Sequence, residues 1–248
     1  EGKKEIGKMI TLKRGLQTSN NWISAHLVLQ IGAGRFANFL NNSLDLKSHV
    51  EPVPPICLGA MDVSISEMVS AYTAFANKGI KASPLYVTRI EDNQGNVIAT
   101  FVPHMKEVYN EETASKMIAL LQGVMNGGTG LRLRTKRYSY CIGWETQVAG
   151  KTGTTQNNSD GWFMGFVPSL VTGVWVGGED RDIHFDNIRN GQGSATALPI
   201  WGTYMNKVYN DSTIGYSRLE QFVTTQKYNC TSNESKTVDE NAEEMILF

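Results

Sequence analysis

The chain has 248 residues with 23 Lys plus Arg against 24 Asp plus Glu, a formal net charge of −1, 41% hydrophobic and 19% charged residues. That length holds one large domain or two small ones, and the balance argues against a basic nucleic-acid-binding face and against general disorder. No run of about 18 apolar residues occurs and no basic segment leads into an apolar one at the start, so neither a membrane span nor a signal peptide is read here. The chain opens at Glu1 rather than Met, which suggests a processed product or a piece of a longer protein.

Residues 11 to 18 read as a short helix, and 22 to 31 as an apolar helix expected to lie in the core, with Ser19, Asn20 and Asn21 between them. A short amphipathic stretch from Arg35 to Leu40 leads to a loop marked by Pro52, Pro54 and Pro55. Residues 65 to 78 give the clearest helix. Ser64 and Glu67 form a capping-box pair, Met68, Tyr72, Phe75 and Ala76 recur at helical spacing, and Gly79 is expected to stop it. Residues 85 to 90 and 97 to 102 flank Asp92-Asn93-Gln94-Gly95 as a hairpin, and Asn110 caps a helix from 111 to 125 closed by Gly127 and Gly128.

The second half changes character. Residues 146 to 152, 161 to 167 and 171 to 177 are β-rich runs separated by turn chemistry, the pattern of an antiparallel meander. In them Trp162, Phe163, Phe166, Trp175 and Val176 read as sheet core. Residues 197 to 209 read as a helix that packs Ile200, Tyr204 and Val208 on the sheet, and residues 224 to 248 as a polar, acidic, disordered tail.

Cys57, Cys141 and Cys230 are too scattered for a disulfide framework, and His26, His49, His104 and His184 show no metal-ligand spacing. The expectation is therefore no structural zinc.

The segment Ala149-Gly150-Lys151-Thr152-Gly153-Thr154-Thr155 carries the most chemistry. A phosphate loop would need glycine at 145, where the chain has Glu145, and a helix after the lysine, where it has a β-rich run. The other reading is an edge strand. Gly153 lets an extended substrate approach the backbone, Lys151 offers a charge for a carboxylate or a proton transfer, and Thr152 and Thr154 offer hydroxyls.

Lys151-Thr152-Gly153-Thr154, the Asp160-Gly161-Trp162-Phe163 run, Val174-Trp175-Val176-Gly177, Gly128-Thr129-Gly130, Ser19-Asn20-Asn21 and the Ala71 to Gly79 helix occur in an order that resembles penicillin-binding protein transpeptidase domains. The resemblance is closest to the class A, bifunctional cell-wall synthases, and it spans about Thr11 to Tyr209. It implies an α/β fold of the serine transpeptidase and β-lactamase-like kind, an antiparallel sheet flanked by helices, with residues 1–223 as the C-terminal part of the domain.

The family's catalytic motifs are SxxK, SxN and KTG. Ser19 and Asn21 match the ends of SxN, and Lys151, Thr152 and Gly153 match KTG. The resemblance implies acyl transfer on peptidoglycan stem peptides, inhibited by β-lactams, with no metal or organic cofactor. Ser19 would relay protons, Asn21 would bind the substrate amide, Lys151 with Thr152 and Thr154 would hold a carboxylate, and the Thr154 N–H would stabilise an oxyanion. No serine here has a lysine three places on, so the fold is expected to be N-terminally incomplete, its nucleophile upstream of residue 1 and this polypeptide inactive alone. An upstream glycosyltransferase and a membrane anchor facing the periplasm are implied by the same resemblance. A non-catalytic sensor or binding module of the same fold and a β-lactamase-like hydrolase stay open as alternatives. So does the plain use of Ser19 as a helix stop and Asn21 as an N-cap.

Overall fold

A computed structural model describes residues 9–224, so the tail expected from 224 onward lies, Thr224 excepted, outside the described residues. The first helix, α1 (Leu12–Thr18), starts at Thr11, whose hydroxyl accepts the Arg14 N–H, and ends at Ser19. The next, α2 (Asn21–Ile31), starts at Asn20, whose side-chain oxygen accepts the Trp22 and Ile23 N–H groups. The expectation that this helix lies in the core is corrected. Only Val28 is buried, whereas Trp22 is 67% and Leu29 68% exposed. An apolar composition without a polar face gives no single stripe to bury, and Val28 joins Ala37, Leu40, Leu44 and Ile56 in a small cluster on one side.

After α3 (Ala33–Asn38) the chain makes a π-helical turn, Phe39–Ser43, and a proline-led 3-10 turn, Pro54–Leu58. In α4 (Ile65–Ala76) both halves of the capping box form, and the Glu67 carboxylate also accepts the Lys47 and Ser48 N–H groups and the Ser48 hydroxyl. Burial works to raise the Glu67 pKa, but hydrogen bonds from Ser64 and Ser48 outweigh it and bring it down to about 2. The helix ends earlier than expected, with Asn77 as its cap and Lys78 in the left-handed region at φ 53. Gly79 takes part in the stop as expected, its φ of 95 turning its N–H back to the Ala74 carbonyl at 2.7 Å, and a Cβ there would also collide with the Tyr109 carbonyl oxygen.

The short strands β1 (Ile80–Ala82), β2 (Arg89–Glu91), β3 (Val97–Thr100) and β4 (Met105–Glu107) follow. The β2–β3 hairpin matches the reading from sequence, while the β1–β4 pair that closes its base has too few residues to show a period. Then α5 (Glu111–Gly127) starts at Asn110, which accepts the Thr113 N–H, and is followed by a 3-10 turn, Leu131–Arg134.

The central sheet is the expected meander of β5 (Ala149–Thr154), β6 (Gly161–Val167) and β7 (Leu170–Val176), antiparallel in the order β5-β6-β7, so among the described residues β5 is an edge strand. Lys151 pairs with Met164, Thr152 with Phe163 and Gly153 with Trp162. A one-turn α6 (Ile188–Gly191) precedes α7 (Ala197–Asn210). Phe163 and Val167 point to α7, where Trp201 meets Phe163 edge-on at 5.2 Å. Ala149 and Phe166 point to the other side, against Ile118 and Leu121 of α5, with Tyr72 of α4 at 6.3 Å from Phe166. Helices therefore cover both faces, the α/β layering expected.

Two packing expectations need correction. The buried side of α7 is Leu198, Trp201, Met205 and Val208, while Ile200 and Tyr204 are about half exposed. Gly202 sets this rotation, since a Cβ there would lie 2.6 Å from the Tyr140 carbonyl oxygen. Of the aromatic residues expected in the sheet core, Phe163 and Phe166 are fully buried, but Trp175 is 44% exposed and donates its Nε1–H to Asp160 at 2.8 Å. An indole keeps one polar atom that a surface carboxylate satisfies.

Candidate active site

The site begins where α1 stops. Ser19 takes φ 54, ψ 48, and its own N–H and that of Asn20 fold back onto the Leu16 and Gly15 carbonyls. A left-handed residue reverses the chain in one step, so α2 can start at once. The cap falls to Asn20 and not to Asn21, which becomes the first residue of α2 and is exposed. Ser19 keeps its hydroxyl outward, and the Lys151 ammonium donates to it at 2.8 Å across 132 positions of sequence. The same ammonium donates to the Thr152 carbonyl at 2.9 Å.

A junction between α1, α5 and β5 holds these groups. The Gln17 amide donates to the Gly123 carbonyl at 3.1 Å, and the Thr129 N–H donates to the Gln17 carbonyl at 3.1 Å. Gly128 admits that approach, since a Cβ on it would lie 2.4 Å from the Gln17 oxygen. The Thr129 hydroxyl then meets the Thr152 hydroxyl at 2.7 Å.

The far end of β5 is fixed by the chain before α7. The Gly193 N–H donates to the Thr154 hydroxyl at 3.0 Å, and a Cβ on Gly193 would lie 2.3 Å from the Gly153 oxygen. In the β5–β6 turn the Asp160 carboxylate accepts the Thr155 and Ser159 hydroxyls, both at 3.0 Å, as well as the Trp175 indole. Burial acts to raise the Asp160 pKa, but these hydrogen bonds hold it below the usual carboxylate value. Trp162 lies beside Trp175, ring centres 6.5 Å apart.

Ser19, Lys151, Thr152, Gly153 and Thr154 thus share one region, with Asn21 two residues from Ser19. Thr129, Asp160 and Gly193 enter it without having been singled out from sequence. Gly128-Thr129-Gly130 and Asp160-Gly161 stand in the ordered matches, whereas nothing in the sequence marked Gly193. Burial draws the Lys151 ammonium down to about 8, so the amine can take or give a proton near neutrality and is still a cation at pH 7. An edge strand with this cation, two hydroxyls and a bare glycine suits an extended ligand ending in a carboxylate.

Comparison with known proteins gives a consistent picture. Residues 54–182 match the family model described as penicillin binding protein transpeptidase domain, a stretch that includes β5 to β7 and leaves Ser19 and Asn21 outside it. The chain is 33% identical over 205 residues to penicillin-binding protein 1A of Aquifex aeolicus, covering 83% of this chain and 26% of that protein. Among solved structures, penicillin-binding protein 1A of Haemophilus influenzae aligns with a TM-score of 0.70 at 25% identity, covering 82% of this chain and 34% of the other. A penicillin-binding protein of Mycobacterium tuberculosis aligns with a TM-score of 0.72 at 23% identity, covering 87% and 59%. The chain therefore spans about a quarter of the length of the curated relatives it matches.

Proposed function

Because the chain belongs to the penicillin-binding protein transpeptidase domain family, we propose that it forms the KTG and SxN walls of a D,D-transpeptidase site that cross-links peptidoglycan stem peptides by an acyl-serine mechanism. The observation that carries this reading is the Lys151–Ser19 contact of 2.8 Å. It joins two motifs that sequence order alone leaves far apart.

In this reading Lys151, still cationic at pH 7, attracts the terminal carboxylate and polarises Ser19, whose hydroxyl passes a proton to the departing amine. Asn21 holds the substrate amide, and the Thr152 and Thr154 hydroxyls with the bare edge at Gly153 align the peptide along β5. The Thr154 N–H contributes to the oxyanion hole. The acylated serine and its lysine belong to a segment N-terminal to Glu1, residues 1–223 being the C-terminal part of the domain, and the 248 residues alone stay unlabelled by penicillin. A class A arrangement, with an upstream glycosyltransferase and an anchor on the outer face of the inner membrane, is part of the same proposal. Among the described residues no helix is long and apolar enough to cross a membrane.

The test is a Lys151→Ala change in the full-length protein, read as the rate of labelling by a fluorescent penicillin. A fall of about 100-fold or more is expected from losing a positioned proton-transfer group. An unaltered rate removes Lys151 from the site, and labelling of the 248 residues by themselves removes the upstream nucleophile.

A further inference from the structure

We infer that Thr129 is a positioning residue that aims the Thr152 hydroxyl at the ligand's carboxylate, an inference that rests on the transpeptidase reading of β5. Thr129 touches both walls of the site. Its N–H donates to the Gln17 carbonyl at 3.1 Å, two residues before Ser19, and its hydroxyl meets the Thr152 hydroxyl at 2.7 Å, one residue after Lys151.

Hydrogen-bond bookkeeping gives the contact a direction. A hydroxyl has one proton to donate and two lone pairs to accept with. If Thr152 gave its proton to Thr129, it would present only lone pairs to an incoming anion and would repel it. With Thr129 as the donor, the Thr152 proton is left for the carboxylate. A bound carboxylate therefore selects this second arrangement, and the Thr129 hydroxyl removes the other rotamers of Thr152 before binding.

The placement of Thr129 is itself held by neighbours. Gly128 allows its backbone to sit on α1, and a Cβ on Gly130 would lie 2.5 Å from the Met125 sulfur, so the segment fits between α1 and α5 with little room to shift. The contact also joins the two walls. Through Thr129 the chain two residues before Ser19 is tied to the residue after Lys151.

The experiment compares acylation of the full-length protein by penicillin V and by its methyl ester, which lacks the carboxylate charge. Wild type should prefer the acid, Thr129→Val should lose about tenfold of that preference, in line with one hydrogen bond to a charged group, and Thr129→Ser should retain it. A residue needed only for packing would slow acid and ester alike. Equal slowing of both ligands in Thr129→Val, or an unchanged preference, overturns the inference. If the valine form does not fold, Thr129→Ala against Thr129→Ser carries the same comparison. A wild type with no preference for the acid instead sinks the carboxylate reading of β5, so the two failures are told apart.

Discussion

The β5–β6–β7 sheet and the β2–β3 hairpin are built from the same kinds of residue, yet only one of them carries the candidate site. Phe163 and Phe166 are fully buried between α7 on one side and α4 with α5 on the other. Every residue of β2 is exposed, and in β3 only Ala99 is partly covered. Alternation specifies a strand in both cases, but a strand becomes a rigid platform only when helices cover its faces. The edge that carries Lys151 is the outer strand of the covered sheet, which is how one side of it stays open while its backbone is fixed.

The largest expected effect breaks the covered sheet at its centre. Trp201→Ala removes the ring that fills the space over Phe163 and should cost about 3–5 kcal/mol by denaturant titration. A loss below about 1 kcal/mol would mean that α7 contributes little to holding the sheet.

Next in size is the cost of the site. The Lys151 pKa of about 8 lies below the 10.5 of a solvated lysine, so the native state binds fewer protons than the unfolded chain between those values. Stability should therefore rise by on the order of 2 kcal/mol as pH climbs through that window, the full cost being present below pH 8. In Lys151→Met its share of the rise should disappear, leaving the smaller contribution of Lys81, whose pKa burial also lowers. An identical pH dependence in wild type and variant would show that burial does not disfavour this ammonium. The smallest effect belongs to the hairpin, where Ile98 is 66% exposed. Ile98→Thr should leave the melting curve within about 0.5 kcal/mol of wild type, and a larger loss would mean that the hairpin contributes to the core.

Sequence reading succeeds where one local rule acts alone. The Ser64–Glu67 box, the Asn110 cap and the three-strand meander follow from capping and alternation. It fails where two partners far apart in sequence decide. The rotation of α7 depends on Gly202 meeting Tyr140, and the exposure of Trp175 depends on Asp160 being within reach. The site divides the same way. Lys151 and Ser19 are legible as motif ends, while Thr129 and Gly193 act through contacts that no spacing rule contains. Asn20 shows a finer limit: three adjacent polar residues all suit a helix junction, and only the left-handed turn at Ser19 decides which one caps α2.

The backbone at Ser19 sets two kinds of selection against each other. A φ of 54 is easily adopted by glycine and less easily by serine, so Ser19→Gly relaxes the helix junction while deleting the hydroxyl that receives Lys151. A mutant library sorted for heat resistance alone would drift toward that loss at this codon. A stabilisation campaign therefore has to carry each change into the full-length protein and screen its labelling by penicillin in the same round.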